Sequence, residues 1–281
     1  MGIERRVGLQ STLSALVLLR KSQARQLCRC VSWSSSGHMS RPFFRFVLLA
    51  GPVGLALFLS SCGSSGGGRS KYGDRPGPKG FSTVVLDAGH GGKDSGTRGR
   101  GAFDCEKNLA LDMVRRVQKQ LRSSFKVVLT RSSDTFVSLD DRARIASRYG
   151  NAVLVSIHFN EGPRRLAGPE TFYWRTDSYS LARRVQQSVS AAAPIEKGNR
   201  GLTRRRLRLT RNPQIPCILV ECGYLSNYSE QRLLKSTSDR DKIARAIASA
   251  IRDQARCGDA GMGPLPKPIY APLSSSRDRR E

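Results

Sequence analysis

Histidines, acidic residues and long apolar runs are all scarce in this chain of 281 residues. It contains three histidines, and its 22 Asp/Glu stand against 48 Lys/Arg. A histidine-based metal site must therefore draw on His38, His90 and His158. The apolar run at residues 46–59 has 14 residues, whereas a helix that spans a bilayer needs about 20. This run is too short for an ordinary transmembrane helix.

The shortage of acidic residues leaves a formal net charge of +26. Residues 81–256 contain 32 Lys/Arg and 17 Asp/Glu, a net charge of +15, so much of the excess is not in the tails. The electric field of such a positive charge attracts polyanions, whether nucleic acid, anionic lipid or an acidic cell-wall polymer. The charge alone does not indicate which of these is the partner. An arginine-rich surface without a binding role explains the same charge.

A lipoprotein signal peptide is predicted at residues 39–61. Arg41 and Arg45 precede the apolar run, whose length is typical of the hydrophobic region of a signal peptide. The run ends in Leu-Ser-Ser-Cys, which resembles the bacterial lipobox that is cleaved before a lipid-modified cysteine. Cys62 would then be the mature N-terminus, with acyl chains that anchor it in a membrane. The alternative is a buried apolar hairpin or helix.

The other segments are assigned by composition. Residues 1–38 precede the signal and are interpreted as an upstream mis-start or a disordered segment, with translation beginning at Met39. Residues 62–80, which are rich in Gly and Ser, are expected to form a flexible tether. Residues 81–256 contain most of the strong apolar runs and are expected to form one globular domain, followed by a disordered Pro/Ser-rich tail at 257–281.

Four cysteines lie in or next to this domain: Cys105, Cys217, Cys222 and Cys257. Disulfides are permitted if the protein is exported, but the spacing establishes no pairing. Cys217 and Cys222 cannot pair with each other, because five residues of one predicted strand separate them by about 17 Å.

Strand and helix patterns alternate through the domain. Short β-branched-rich runs predict strands at Thr83–Leu86, Lys126–Thr130, Ala152–Ile157, Thr171–Trp174, Arg206–Thr210 and Cys217–Val220. Helical spacing predicts helices at Glu106–Leu121, Leu139–Tyr149, Ser180–Ala192 and Asp239–Ala255. This alternation indicates a single α/β domain with a twisted, mostly parallel sheet that is flanked by helices on both faces.

Polar residues follow the ends of three predicted strands. Asp87 and His90 follow the first strand, His158 the third and Glu221 the last. Because ligands of such sheets usually bind at the carboxyl ends of the strands, we expect these side chains to lie close together. Each histidine taken alone is more typical of a structural role than of a ligand.

Two histidines and one carboxylate are a sufficient ligand set for a catalytic zinc ion, whose fourth position is kept for water. His90 lies on the glycine-rich turn of DAGHGG, and His158 lies in VSIHFN. The natural third ligand is Glu106, at the start of the first predicted helix, although the helix dipole also favours an acidic residue there.

Glu221 is a candidate catalytic base. It follows Ile218, Leu219 and Val220 at the end of a strand that is predicted to be interior. A carboxylate in such a place is unfavourable unless it is paired, hydrogen-bonded or functional. Beside a metal ion it can act as a general base towards water.

The order of these motifs resembles the zinc-dependent N-acetylmuramoyl-L-alanine amidases, the bacterial cell-wall amidases. The motifs are DAGHGG, EK, LTR followed by Asp134, RARIAS, SIHFN and VECGYLSN, and they cover about residues 82–251. The resemblance implies a six-stranded mixed sheet, zinc on His90, Glu106 and His158, and Glu221 as the catalytic acid/base. It also implies hydrolysis, by a zinc-activated water, of the amide between N-acetylmuramic acid and L-alanine of the peptidoglycan stem peptide.

Some members of that family carry an inserted helix that blocks the zinc site. Here 63 residues separate His158 from Glu221, and predicted strands, a helix and a basic stretch fill that interval. We therefore expect no autoinhibitory insertion. We also expect a monomer whose attachment to the wall relies on the catalytic groove and the lipid, since no separate binding repeats are visible.

A basic stretch near the end of the domain is the candidate substrate groove. Residues 197–211 contain seven positive charges, among which Arg206 and Arg208 alternate with leucines. In a strand these two arginines would form an ordinary solvated face. Alternatively they grip stem-peptide carboxylates, with Arg131 and Asn160 as further candidate contacts. Nucleic acid is not an expected partner, because no aromatic platform is interleaved with the charge.

Two other functions remain open at this point: a zinc peptidase that acts within the stem peptide, and a catalytically silent wall-binding lipoprotein. The predicted location is outside the cytoplasm, on a membrane that faces the periplasm or cell wall. Gly63 stands where an aspartate is associated with inner-membrane retention in some bacteria. The outer membrane is therefore expected where one exists.

Overall fold

The computed structural model describes residues 72–98, 105–193 and 198–273. This part of the chain has six strands: β1 (Thr83–Ala88), β2 (Lys126–Leu129), β3 (Ala152–Asn160), β4 (Glu170–Tyr173), β5 (Gly201–Arg204) and β6 (Cys217–Tyr224). It also has six α-helices: α1 (Glu106–Leu121), α2 (Leu139–Ser147), α3 (Tyr179–Ala192), α4 (Arg208–Arg211), α5 (Tyr228–Lys235) and α6 (Thr237–Cys257). The expected signal peptide, Cys62 and residues 1–38 lie outside the described residues.

The strands form one sheet in the order β2-β1-β3-β6-β4-β5. The first four strands in this order are parallel, β4 runs antiparallel to β6, and β5 is parallel to β4. This confirms the α/β fold and the six-stranded, mostly parallel mixed sheet. Because β1, β3 and β6 are neighbours, their carboxyl ends are adjacent, which is where ligand sites of such sheets form.

Alternate residues of the central strands pack against opposite layers of helices. Val84 and Val153 belong to a large core cluster with the apolar sides of α1, α3 and α6. Val85 and Leu154 belong to a smaller cluster with Ala146 of α2. This alternation follows from the extended chain, in which successive side chains point to opposite faces. The sheet is therefore covered on both sides, which we call the α1 face and the α2 face.

Most predicted elements lie where the sequence pattern places them. Helix α1 has the predicted bounds, and its apolar residues at i, i+4 spacing are buried. Helix α5 was not predicted. It begins after Asn227, whose side chain accepts a hydrogen bond from the N–H of Glu230 and so caps the helix.

The predicted strand at Arg206–Thr210 is wrong, because β5 lies earlier in the chain and α4 takes its place. The hydroxyl of Thr210 accepts a hydrogen bond from the N–H of Leu207 and donates to the carbonyl of Arg205, which stabilises a helical turn. Alternation over only two leucines cannot distinguish a strand from such a turn. The arginines of this stretch therefore do not project from a strand into water.

Both ends of the described chain pack onto the domain beyond its expected bounds of 81–256. The carbonyl of Gly73, in the expected tether, accepts a hydrogen bond from the N–H of Asp177 at 3.0 Å. Tyr72 packs edge-on against Tyr270, in the expected tail, with ring centroids 5.4 Å apart. The carbonyl of Pro266 accepts a hydrogen bond from the hydroxyl of Thr176. The described residues next to the domain are thus attached to it on both sides.

Among the described residues, the four cysteines form no disulfide, and no helix combines the length and the apolar character that crossing a membrane requires. Cys217 and Cys222 both lie on β6, and both are buried. Burial raises the pKa of the Cys217 thiol to about 12, so this thiol is protonated at neutral pH. A buried, protonated thiol is inert, which indicates a packing role for Cys217.

Candidate metal and catalytic site

His90 lies on a tight turn directly after β1. Its φ of +59° makes it the one non-glycine residue with a positive φ in the described part of the chain. Residues with a Cβ rarely adopt this conformation, so it needs support from its surroundings. Gly91 and Asp94 close the turn with two mutual backbone hydrogen bonds, and the Asp94 carboxylate is hydrogen-bonded to His90 Nδ1 at 2.9 Å. The turn thus orients both the backbone and the ring of His90.

Two buried arginines hold this turn by its carbonyl groups, and we call Arg131 and Arg142 the clamp arginines. Arg142 donates to the carbonyls of Ala88 and His90, each at 2.6 Å. Arg131 donates to the carbonyls of Ala88 and Gly89 at 3.0 and 2.8 Å. A guanidinium has five N–H donors in one plane, which lets it satisfy several acceptors at once. The unusual backbone of the turn is therefore supported from two sides.

Arg131, one of the four expected substrate contacts, is surrounded by the backbone of the protein itself. Its side chain is buried, and its remaining hydrogen bonds go to the carbonyls of Lys107 and Ser133. All these partners are protein backbone, and Arg131 does not line the cavity that contains the histidines. Its contacts instead connect the His90 turn to α1.

Asp87 supplies the negative charge beneath the clamp. Its fully buried carboxylate accepts hydrogen bonds from Arg142, Thr130 and Ser156 at 2.5 to 2.6 Å. Burial alone would raise the pKa of Asp87, but the Arg142 guanidinium and the two hydroxyl groups outweigh it and hold the pKa below its usual value. Asp87 is therefore an ionised structural partner of the clamp.

Glu106, the first residue of α1, brings a carboxylate between the two histidines. Its Oε1 lies 3.0 Å from His90 Nε2 and 2.9 Å from His158 Nδ1. The N–H groups of Thr97 and Phe159 donate to its two oxygens at 2.9 and 3.1 Å. Burial opposes ionisation, but hydrogen bonds with His158 and His90 hold the pKa of Glu106 far below its usual range. Glu106 is thus ionised, as a carboxylate ligand of a metal must be.

The three side chains expected to bind zinc come together. One ligand atom from each of His90, Glu106 and His158 lies within 4.8 Å of the other two. The imidazole rings meet at 77° with their centroids 4.9 Å apart. Two nitrogens and a carboxylate oxygen form a known donor set of catalytic zinc, whose bonds of about 2.0–2.1 Å place ligand atoms roughly 3.3 Å apart. The donors present therefore fit a zinc ion.

Two glycines permit this convergence. A Cβ at Gly89 would collide with the ring of His158, and a Cβ at Gly96 would lie 2.5 Å from Glu106 Oε2 and 2.7 Å from the His90 ring. Gly96 also has a φ of +61°, which a residue with a side chain rarely adopts. Both positions are thus restricted to glycine by the close approach of the candidate ligands.

Glu221 and His158 are register partners on the neighbouring parallel strands β6 and β3. Partners in such a pair point to the same face of the sheet from strands about 4.8 Å apart. Cys217, which has the same parity on β6 as Glu221, packs in the α2-face cluster, so Glu221 points to that face. Both strands continue past their predicted ends, and the two residues lie within them.

A cavity of about 720 Å³ opens over these residues. Its walls contain the three candidate ligands and Glu221. Three of the four expected substrate contacts also line it: Asn160, Arg206 and Arg208. The apolar part of the wall consists of Phe136, Val137 and Leu139. We call Arg206 and Arg208 the cavity arginines. Both are half-buried, and Arg208 Nε lies 3.1 Å from the exposed carboxylate of Asp140.

The two α-helices described between His158 and Glu221 belong to the core packing and to the cavity wall. Helix α3 packs against α6 on the α1 face, and α4 contributes residues to the cavity wall. The absence of an autoinhibitory insertion stays a prediction, since residues 194–197 in this interval lie outside the described residues.

Arg142 and Asp94 support the site, but neither belongs to the candidate site residues predicted from the sequence. Arg142 lies in the RARIAS motif, and its bond to the His90 carbonyl spans 52 positions of the chain. Asp94 lies on the same turn as His90, four residues later. The turn spacing could have indicated Asp94, whereas a long-range contact to a backbone carbonyl leaves no pattern in the sequence.

Comparisons with known proteins concern the whole domain. The profile of the Amidase_3 family, described as N-acetylmuramoyl-L-alanine amidase, matches residues 84–253. The endolysin of Bacillus phage SPP1 is 35% identical over 199 residues, which are 68% of this chain and 72% of the relative. The N-acetylmuramoyl-L-alanine amidase LytC of Bacillus subtilis is 33% identical over 169 residues, 59% of this chain and 34% of LytC.

Solved structures show the same fold. The catalytic domain of CwlV, an N-acetylmuramoyl-L-alanine amidase from Bacillus (Paenibacillus) polymyxa, has a TM-score of 0.59 at 35% identity, covering 62% of this chain and 97% of that one. AmiC2, an amidase of the same name from Nostoc punctiforme, has a TM-score of 0.58 at 36% identity and the same coverage. Since the family profile spans more than half of the chain, this protein belongs to the N-acetylmuramoyl-L-alanine amidase family of peptidoglycan amidases.

Proposed function

We propose that this protein is a zinc-dependent hydrolase that cleaves the amide between N-acetylmuramic acid and the L-alanine of the peptidoglycan stem peptide. The observation that supports this most is the convergence of His90, Glu106 and His158 beside Glu221 in one cavity. Membership of the amidase family supplies the reaction class.

His90, Glu106 and His158 would hold the zinc ion. When bound, zinc supplies a Lewis acid that polarises the scissile carbonyl and lowers the pKa of water. Asp94, through its bond to His90 Nδ1, leaves Nε2 of that ring directed towards Glu106. The clamp arginines hold the backbone of the His90 turn. These residues preorganise the ligands before an ion binds, which is what fixed partners of metal ligands do.

Glu221 is the proposed general base. From its place beside His158 it would take a proton from the water that attacks the carbonyl, and return this proton to the departing amine of L-alanine. A carbon–oxygen bond forms and the carbon–nitrogen bond breaks, which leaves a lactyl carboxylate and a free peptide amine. Glu221 is partly exposed in the cavity wall, so both water and substrate can reach it.

Asn160 and the cavity arginines are the proposed substrate contacts. The stem peptide carries carboxylates, and a guanidinium can bind a carboxylate through two parallel hydrogen bonds. Arg206 and Arg208 would place this positive charge in the wall of the catalytic cavity. The net charge of +15 on residues 81–256 suits the same acidic polymer at longer range.

We further propose that the protein acts outside the cytoplasm, attached to a membrane by lipid on Cys62. The motif at residues 39–62 and the cell-wall substrate of the family support this location. Mass analysis of the mature protein from bacterial membranes should find an N-terminus at an acylated Cys62. A mature chain that begins before Cys62 contradicts the proposal.

The first test replaces Glu221 by Gln in the full chain. Glutamine keeps the size of the side chain but does not accept the proton, so kcat on purified peptidoglycan should fall about 100-fold or more. Zinc content, measured by atomic absorption, should stay at the level of the unaltered protein. Glu170→Gln is the matched control, because Glu170 faces Glu221 from β4 but does not line the cavity.

Product analysis separates the alternatives. An amidase leaves peptide-free glycan and stem peptides with a free L-alanine amine, whereas a peptidase acting within the stem leaves L-alanine on the glycan. A silent wall-binding protein yields no product even with zinc bound. Full activity of Glu221→Gln with zinc retained refutes the base assignment, and undiminished zinc binding by His158→Ala refutes the ligand set.

A further inference from the structure

A second cavity, of about 320 Å³, adjoins the catalytic one. Arg98 and Glu161 line both cavities, so the two border each other along these residues. Thr97 connects this border to the metal site: its N–H donates to Glu106, and its hydroxyl donates to Glu161 at 3.3 Å. A ligand in the catalytic cavity can therefore extend past Glu161 into the second cavity.

Tyr228 in the wall of this second cavity is the most exposed large apolar side chain of the described residues, at 74% exposure. It is the first residue of α5. The preceding Asn227 caps that helix and also donates to the carbonyl of Arg164, another residue of the cavity wall. Tyr228 thus projects from a firmly held backbone, as amphipathic rings at binding surfaces do.

The other groups of the second cavity suit a sugar. A pyranose ring has apolar C–H faces that pack on an aromatic ring, and its hydroxyl and acetamido groups need hydrogen-bonding partners. Tyr228 offers the ring. Ser226, Gln231 and Arg164 in the same wall carry polar side chains.

The distribution of charge around the metal site indicates which side binds the stem peptide and which binds the glycan. A molecule whose scissile amide lies at the metal site must leave it in two directions, with the stem peptide on one side and the glycan on the other. Arg205 and the cavity arginines line the catalytic cavity together, on the β5–α4 side. The second cavity, built from Arg98 and the segments that follow β3 and β6, contains Arg98 and Arg164, but the carboxylate of Glu161 in the same wall offsets part of that charge. Complementary charge therefore assigns the carboxylate-bearing peptide to the more positive β5–α4 side. The glycan then extends the other way, towards Tyr228.

We propose that the second cavity is a saccharide subsite, which binds a sugar of the glycan strand beyond the muramoyl residue whose amide is cleaved. The inference rests on the proposed function, because only that reaction places glycan and peptide on opposite sides of the metal site. It predicts that the enzyme favours polymeric peptidoglycan over single-sugar muropeptides.

The kinetic test replaces Tyr228 by Ala in the full chain. KM for a glycan of three disaccharide units that carry stem peptides should rise about 5- to 10-fold, because the sugar loses its stacking surface. KM for N-acetylmuramoyl-tripeptide should not change, and Tyr228→Trp should keep the preference for the longer substrate. Tyr270→Ala is the matched control, since Tyr270 is 67% exposed and lines neither cavity. An equal rise in KM on both substrates, or none on either, overturns the subsite.

A binding test does not depend on catalysis. Peptide-free oligosaccharides of alternating N-acetylglucosamine and N-acetylmuramic acid are titrated into the full chain by calorimetry. The unaltered protein and Tyr270→Ala should bind them alike, and Tyr228→Ala about 5- to 10-fold more weakly. If the unaltered protein cleaves amides but does not bind these glycans, the subsite fails alone. If it binds them but cleaves no amide, the proposed function fails.

Discussion

The clamp arginines and the cavity arginines use the same side chain in opposite ways. Arg131 and Arg142 are 4% and 2% exposed, and both donate to backbone carbonyls of the His90 turn. Arg206 and Arg208 are half-buried in the wall of the catalytic cavity. The comparison shows that arginine content alone does not define a binding surface, because the acceptors around each guanidinium decide its role.

Burial explains the difference. A guanidinium removed from water needs partners for its N–H groups and a charge that balances its own. Arg142 has both, in the carbonyls of the turn and in Asp87. The cavity arginines, by contrast, border an open cavity, where an incoming carboxylate can form charge-assisted hydrogen bonds with a guanidinium.

The largest expected effect is the loss of the clamp. Arg142→Ala leaves the Asp87 carboxylate buried without its ion pair, which should lower the free energy of unfolding by about 3–5 kcal/mol. Arg142→Lys keeps a positive charge but lacks the planar group of donors. This variant should fold, yet bind zinc about 10- to 100-fold more weakly, as changes to the partners of metal ligands do. Urea unfolding and zinc titration with a competing chelator measure the two quantities.

Arg144 is the matched control for the clamp, because it lies two residues later on α2 with a side chain that is 64% exposed. Arg144→Ala should change the free energy of unfolding by less than about 0.5 kcal/mol. If Arg142→Lys binds zinc as the unaltered protein does, the clamp does not position the ligand turn.

A smaller effect is expected for the cavity arginines, and it should appear in KM instead of in stability or zinc binding. Replacing Arg206 and Arg208 together by Ala should raise KM for muropeptides with free stem carboxylates about 10-fold, since two charge-assisted contacts are lost. The midpoint of urea unfolding should hardly move. Arg245→Ala, at an exposed position of α6, is the control.

Muropeptides whose stem carboxylates are amidated make this test sharper. They lack the negative charge, so the double variant should cleave them with an unchanged KM. An equal loss on acidic and amidated substrates would show that the cavity arginines act on the structure of the wall instead of on stem carboxylates.

The smallest expected effect is a pH dependence of stability from Asp87. Its folded pKa is lowered, so the carboxylate stabilises the protein above its unfolded pKa of about 3.9, and this contribution is lost as pH falls through the folded pKa. The difference in unfolding free energy between the unaltered protein and Asp87→Asn should therefore be constant near neutral pH and shrink below about pH 4. Acid-series urea unfolding measures it.

Asp140→Asn is the control for Asp87→Asn, because Asp140 pairs with the cavity arginine Arg208 and not with a clamp arginine. Because the Asp140 carboxylate is exposed to solvent, its ion pair contributes about 0–1 kcal/mol, and this variant should differ little from the unaltered protein at any pH. A constant difference for Asp87→Asn down to pH 2 would contradict an ionised, buried partner for Arg142.

The sequence pattern predicted the elements that have strong periodicity. Helix α1 was predicted with its bounds because four apolar residues recur at i, i+4, and burial of that face is what forms the helix. The alternating leucines at Arg206–Thr210 predict a strand, but an alternation over two leucines also fits a helical turn. A side-chain bond from Thr210, which no periodicity reveals, decided for the helical turn.

The sequence by itself determined the family, the fold class and the residues that carry the candidate chemistry, because glycine-rich turns, buried strands and rare histidines are local features. The tertiary structure decided which of them meet. Strands β3 and β6 become neighbours although 56 positions separate them, and this pairing sets Glu221 beside His158. The tertiary structure also gives the arginines different surroundings. Arg131 donates to backbone carbonyls in the interior, whereas Arg206 lines the catalytic cavity. Long-range packing supplies those partners, so no local pattern could have assigned the two roles.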